Sequence, residues 1–195
     1  MLAQPPIEIA VPLAPPPGAI VLPVPYFSQC LSQWCWAACA SMVLNFYKQK
    51  IDQCSVAGFE CGGRDCCPCN PFCDRPCDPP DVATIYGNWY VSAGMRQGQV
   101  SPQFLLSELQ AGRPIEVALG PCPGAGSTDS GHLVIVYGAA SDTMFWVHDP
   151  LAEGSGPVDY AALVNGMGRG CWRWTWTAIQ PQVAALKEGE LGGNA

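Results

Sequence analysis

At 195 residues, 49% of them apolar and only 13% charged, the chain is long and apolar enough to bury the core of one domain. A net charge of −7 with scattered Lys and Arg argues against nucleic acid or an anionic membrane surface as a partner. No apolar run reaches the roughly 18 residues of a membrane span, and twelve cysteines point to an oxidising compartment.

Residues 1–24 read as an extended Pro-rich arm or pro-segment, since eight prolines fall in the first 25 positions. This start lacks the basic head and compact apolar stretch of a secretory signal. A secreted or exported protein is still the expectation from the cysteines, by a trimmed signal or another route; metal-binding cysteines are the alternative. Residues 25–180 read as the folded domain and 181–195 as a flexible tail. The tail's Leu191-Gly192-Gly193 resembles a double-glycine processing site but reads as a flexible end.

Trp34 to Tyr47 is almost wholly apolar and free of Gly and Pro, which predicts a helix buried on most sides. Lys48 and Lys50 follow at its C-terminal end, where cations suit the dipole. Cys35 opens the helix. There the dipole and the free first-turn N–H groups favour a thiolate. Gln29, six residues upstream, offers an amide donor for an oxyanion hole. Cys39, one turn on, reads as core packing.

Residues 54–77 carry seven cysteines among Gly and Pro, with no hydrophobic period, so covalent or metal staples must shape them. Disulfides are the first expectation. A zinc site of Cys66, Cys69, Cys73 and Cys77 is the alternative, weakened by the lack of a second C-x2-C pair. With Cys35 and Cys39 free, ten cysteines remain for five bridges.

A short helix is expected over Asp81–Tyr90. Ser101-Pro102 starts another, with Phe104, Leu105, Leu106 and Leu109 at helical spacing and Gly112 as its stop. Arg113–Leu119, Leu133–Tyr137, Thr143–Pro150 and Cys171–Ile179 read as strands, and Tyr160–Val164 as a short helix. Trp172, Trp174 and Trp176 alternate on one predicted face and read as core. Helices first and strands later suggest an α+β fold, with a cleft between a helical half and a sheet half.

Only two histidines are present, His132 and His148, so a Cys35 nucleophile has to draw its base from them. His132 follows a Gly-rich loop, residues 120–131, and opens a strand. Neighbouring strand residues point to opposite faces, so His148 and Asp149 cannot share a face. His132 and Asp149 on adjacent strands can, with Asp149 orienting the imidazole. His148 reads as a surface or sheet-face residue.

Gln29, then Cys35-Trp36-Ala37 at the start of a buried helix, Gly131-His132 before an apolar strand and Asp149-Pro150 at the end of the next together resemble the papain-like cysteine proteases. The run Val-Pro-Tyr-x-x-Gln…Trp-Cys-Trp-Ala-Ala is most similar to a bacterial branch that includes short effector proteases of plant pathogens. The resemblance covers about residues 24–180. It implies a papain-like fold in which the helical half packs on an antiparallel sheet or barrel. It also implies a Cys35–His132–Asp149 triad, an oxyanion hole from Gln29 and the Cys35 N–H, and Trp36 packed beneath the site. Trp34 stands where lysosomal-type enzymes carry a small residue, which bears on the substrate site. The cysteine density of 54–77 exceeds that branch's pattern. The activity implied is cofactor-free hydrolysis of a protein or peptide substrate by a monomer, with transpeptidation if an amine intercepts the acyl-enzyme. A catalytically silent disulfide-stapled binding module and a zinc protein are the competing readings.

Overall fold

The computed structural model describes residues 16–124, 131–151 and 154–182. In chain order they form β1 (Ile20–Val21), α1 (Cys35–Phe46), α2 (Gln53–Glu60), α3 (Pro79–Asn88), β2 (Val91–Gln97), α4 (Pro102–Gln110), β3 (Ile115–Gly120), β4 (His132–Ala139), β5 (Met144–Asp149), β6 (Gly154–Asp159), α5 (Tyr160–Val164) and β7 (Cys171–Pro181). Short 3-10 turns lie at Pro71–Cys73 and Gly166–Gly168. No helix among the described residues is long and apolar enough to cross a membrane.

One antiparallel sheet runs in the order β2-β7-β3-β4-β5-β6, and β1 adds to β4. Both its faces are covered, so the described strands β3 and β4 are buried throughout, as continuous apolar runs require. On one face α1, α2 and α3 pack over Leu133, Ile135, Tyr137 and Trp176. On the other, α4 and α5 cover Val117, Leu119, Val134 and Val136. The fold is α+β and papain-like, with helices packed on an antiparallel sheet.

Helix α1 sits at the centre because it is almost wholly apolar, Ser41 being its one buried polar side chain. Every residue from Cys35 to Leu44 is buried. Its exit is turned by Lys48 and Lys50, both at positive φ, so these lysines shape the turn after the helix rather than serving its last helical turn. Helix α4 starts at Ser101, whose hydroxyl accepts from the Phe104 N–H at 3.2 Å. Replacing Ser101 by Ala should therefore cost about 1 kcal/mol, read as a lowered denaturation midpoint with an unchanged slope.

Several expectations need correction. The arm does not stay apart as far as residue 24, because Ile20–Val21 pairs with Ala139–Gly138. The third helix begins at Pro79 and ends at Asn88, as two prolines are tolerated in a first turn. Strands β2 and β6 were not expected. The three tryptophans of β7 do not share a face: a register shift opposite Ala118/Leu119 sends Trp172 into the α4–α5 side while Trp176 packs under α1. A bulge breaks the period-2 alternation. His148 is buried, not exposed: its ring stacks on Tyr137 at 3.8 Å, Nε2 bonds the Val24 carbonyl at 2.9 Å, and Nδ1 meets Ser155 Oγ.

The described residues hold four disulfides rather than five, Cys30–Cys69, Cys54–Cys67, Cys66–Cys73 and Cys122–Cys171. Cys61 and Cys77 stay free with Cys35 and Cys39. These bridges bear out disulfides as the first expectation for this segment and consume three of the four cysteines of the alternative zinc set. Bridged sulfurs no longer offer the thiolates zinc needs. The tail from residue 183 on lies outside the described residues.

Candidate active site

The start of α1 is held from outside rather than by its own cap, for Trp34 makes no side-chain cap bond. The cysteine-rich segment supplies the missing partners. Both oxygens of Asp74 accept at 2.8 Å, one from the Ser32 hydroxyl and the other from the Gln33 N–H. Trp34 Nε1 donates to the Cys73 carbonyl and Trp36 Nε1 to the Arg75 carbonyl. Four bonds thus tie residues 32–36 to residues 73–75, and Cys35 is delivered inside that clamp.

Cys35 is nearly buried, 7% exposed. Burial pushes its thiol up to about 11, even though backbone N–H groups of Leu133 and Trp36 pull the other way. The negative charges of Glu116 and Asp149 add to the rise. The expected dipole-driven thiolate is therefore corrected: desolvation outweighs the helix terminus, and the thiol needs a base. Cys39 is fully buried, and burial raises its thiol well above the usual range, which suits packing.

His132, the expected base, opens β4 and lines one cavity with Cys35. Gly131 precedes His132 at a point where an added Cβ would lie 3.1 Å from the Leu119 carbonyl oxygen, so a side chain here would crowd the close approach to β3. His132 pairs with Leu119 across the β3–β4 ladder, and Asp149 ends β5, the strand on the other side. His132 Nε2 and Asp149 Oδ1 lie 2.6 Å apart. Burial pushes the Asp149 carboxyl up, but the bond and charge of His132, the Leu151 N–H and the Arg169 guanidinium outweigh it and hold the carboxyl below its usual range. With Asp149 ionised, Nε2 carries the imidazole proton and Nδ1 is left as the acceptor.

Arg169 was missing from the sequence reading. Its Nη2 lies 3.1 Å from Asp149 Oδ2. The only hint was one cation inside the glycine-rich run Gly166-Met-Gly-Arg-Gly170.

Gln29, the expected oxyanion donor, is engaged by its own loop and lines neither cavity at Cys35. Its Nε2 donates to the carbonyls of Leu31 at 2.9 Å and Ser32 at 2.8 Å, and its Oε1 is buried without a partner among the described residues. Reaching an oxyanion requires it to give up one of those carbonyls.

Two cavities meet at Cys35, sharing Gln33, Leu119, Gly120, Pro121 and Gly131. One, of about 350 Å³, runs between Trp36, Trp174, Trp176, Val82 and residues 76–79 of the cysteine-rich segment. The other, of about 400 Å³, is bounded by Ser32, His132, Leu151 and Arg169. Trp36 thus forms cleft wall, whereas Trp34 is wholly buried beneath. Glu116 lies deeper, fully buried on β3, its Oε2 accepting from the Tyr86 hydroxyl at 2.6 Å.

A buried cysteine at the edge of a cavity, a His–Asp pair and an open groove between helices and sheet suggest a peptidase, and a family model decides it: the Peptidase_C39 like family matches residues 21–180. The chain belongs to the C39-like peptidase family. It is a cysteine peptidase of papain-like fold. Solved structures share that fold at low identity. A C39-like peptidase from Bacillus anthracis is 15% identical with a TM-score of 0.59, covering 84% of this chain and 99% of its own. The peptidase domain of Streptococcus ComA, a bifunctional ABC transporter of a quorum-sensing pathway, is 11% identical with a TM-score of 0.57, over 82% and 99%. A double glycine motif protease from an AMS/PCAT transporter, in complex with its leader peptide, is 17% identical with a TM-score of 0.52, over 83% and 94%. No curated protein matches this C39-like chain in sequence at a significant level.

Proposed function

We propose that this C39-like chain is an endopeptidase that cleaves peptide bonds through Cys35, His132 and Asp149. One observation carries the reading: Cys35 and His132 line the same cavity, and His132 is paired with the buried Asp149 at 2.6 Å. A peptide lies along the groove with its scissile carbonyl at Cys35. His132 Nδ1 takes the thiol proton as the sulfur attacks the carbonyl carbon. The tetrahedral oxyanion is met by the Cys35 N–H, free at the helix start, and by the Gln29 amide once it releases a loop carbonyl. His132 then gives its proton to the leaving amine, and a thioester to Cys35 remains. Water, deprotonated by the same imidazole, releases the acid product. An amine in place of water gives transpeptidation at the same centre.

The AMS/PCAT protease is seen with a leader peptide, which supports an extended peptide as the substrate class here. Four disulfides support work outside a reducing cytoplasm, as an exported monomer.

The test is incubation of the purified chain and Cys35→Ala with a diverse peptide mixture, with new termini mapped by mass spectrometry. An epoxysuccinyl probe is run in parallel. Cleavage lost in Cys35→Ala and probe found on Cys35 support the reading. An intact mixture with an unlabelled Cys35 overturns it and leaves a binding module.

A further inference from the structure

The carboxylate of Asp149 is held on both oxygens. Oδ1 accepts from His132 Nε2 at 2.6 Å and from the Leu151 N–H at 2.9 Å. Oδ2 faces Arg169 Nη2 at 3.1 Å. The carboxylate is almost sealed from solvent, with 7% of its side chain exposed, while 32% of the Arg169 side chain still opens to the cavity.

Arg169 arrives there on a turn with one purpose-built shape. Gly166, Met167, Gly168 and Gly170 all have positive φ. The Arg169 N–H closes the turn on the Gly166 carbonyl at 2.8 Å. A Cβ at Gly170 would lie 2.5 Å from the Gly120 carbonyl oxygen, and one at Gly166 would lie 2.9 Å from the Cys171 nitrogen. Met167, a non-glycine residue in the left-handed region, costs about 1–2 kcal/mol. The Cys122–Cys171 bridge pins the same corner. The turn therefore fixes where the guanidinium stands, against the end of β3 and over the triad carboxylate.

We propose that Arg169 is a positioning residue for the cysteine-peptidase reaction: by clamping Oδ2 it stops the Asp149 carboxylate from turning, so that Oδ1 keeps the His132 imidazole aimed at Cys35. The inference rests on the peptidase reading above. A carboxylate torsion is broad on its own, and the Leu151 N–H holds the same oxygen that His132 uses. The clamp on the second oxygen is what fixes the plane. Arg169 also keeps the buried carboxylate ionised. The groups facing Asp149 are His132 on β4, Arg169 before β7, the Leu151 N–H, and the Tyr26 hydroxyl on its backbone carbonyl at 3.2 Å. Cys35 on α1 lies near enough for the Asp149 charge to raise its thiol. The contact is a single charge pair, Nη2 to Oδ2; a lysine supplies the charge on a differently shaped stem, so Arg169→Lys should rescue in part.

Two measurements on the full chain test this, applied to wild type, Arg169→Gln and Arg169→Lys. The first is the His132 Nε2–H signal in protein with ¹⁵N-labelled histidine, assigned by its absence in His132→Ala. Wild type shows a downfield, exchange-protected proton; Arg169→Gln loses or broadens it, and Arg169→Lys keeps it. The second is the rate of Cys35 alkylation by iodoacetamide against pH. Arg169→Gln slows it about tenfold near neutral pH and leaves it unchanged at strongly alkaline pH. The acid limb moves upward, because an Asp149 without Arg169 takes up its proton at higher pH; Arg169→Lys recovers most of the rate. An Arg169→Gln protein that keeps both the signal and the profile overturns the proposal, even if it melts earlier. A wild type in which Cys35 has no His132-dependent reactivity sinks the peptidase reading instead, and the imidazole signal still decides whether Arg169 clamps Asp149.

Discussion

Replacing His132 by Ala is expected to leave Cys35 almost inert towards iodoacetamide at neutral pH and to move its reactivity up towards pH 11. Burial sets the isolated thiol at about 11, so without a base only about one molecule in 10⁴ carries a thiolate at pH 7. The sign follows from the low-dielectric surroundings, which penalise the charged form. In wild type the imidazole, its Nε2 held by Asp149, is expected to accept that proton, so that alkylation proceeds near neutrality. Peptide mapping is needed because Cys61 and Cys77 are also free and less buried. A His132→Ala profile that overlays wild type would show that Cys35 ionises unaided. The expectation separates this site from one in which a helix dipole alone makes the nucleophile.

The second large effect lies beneath the site. Glu116 is fully buried, and burial pushes its carboxyl up to about 8 against the pull of the Tyr86 hydrogen bond. A carboxyl raised on folding binds its proton more tightly in the native state than in the unfolded chain. Its contribution is fully present below the unfolded value near 4.5 and is lost as pH rises through about 8. Stability should therefore fall between those limits by on the order of 5 kcal/mol. Glu116→Gln keeps an acceptor for Tyr86 and removes the titration. Thermal melts should show the variant close to wild type at pH 5 and clearly more stable at pH 9. Equal pH slopes in the two proteins would count against a protonated native Glu116. The site gains as well, since an uncharged Glu116 stops adding to the rise of the Cys35 thiol.

Much of the architecture was legible because burial leaves a continuous signature. Helix α1 follows from an apolar run without Gly or Pro, and β3, β4, β5 and β7 from short apolar stretches between turn residues. Strand β6, Gly-Ser-Gly-Pro-Val-Asp, has the composition of a loop and forms because β5 offers a partner edge. Strand β2 carries a glycine and exposed polar residues, and only its pairing with β7 makes it a strand. The turned face of Trp172 depends on a bulge, a property of two strands together. His132 and Asp149 could be chosen because histidine is scarce and strands alternate. Arg169 could not, since a guanidinium in a glycine-rich turn says nothing of a carboxylate twenty positions earlier. Burial of Cys35 was also out of reach: its helix position was visible, but the desolvation that outweighs the dipole comes from the sheet laid against it.

The bonds from residues 73–75 to the nucleophile's helix use two main-chain carbonyls and a single aspartate. Carbonyls are indifferent to the side chains that carry them. The neighbouring Pro76, Cys77, Asp78 and Pro79 line the apolar arm of the groove yet make none of those four attachments. The wall of the groove and the hold on the start of α1 are therefore separate features of one segment. Residues 76–79, which lead the chain into α3 at Pro79, thus bound the groove without taking part in the bonds that hold Cys35 at the start of α1.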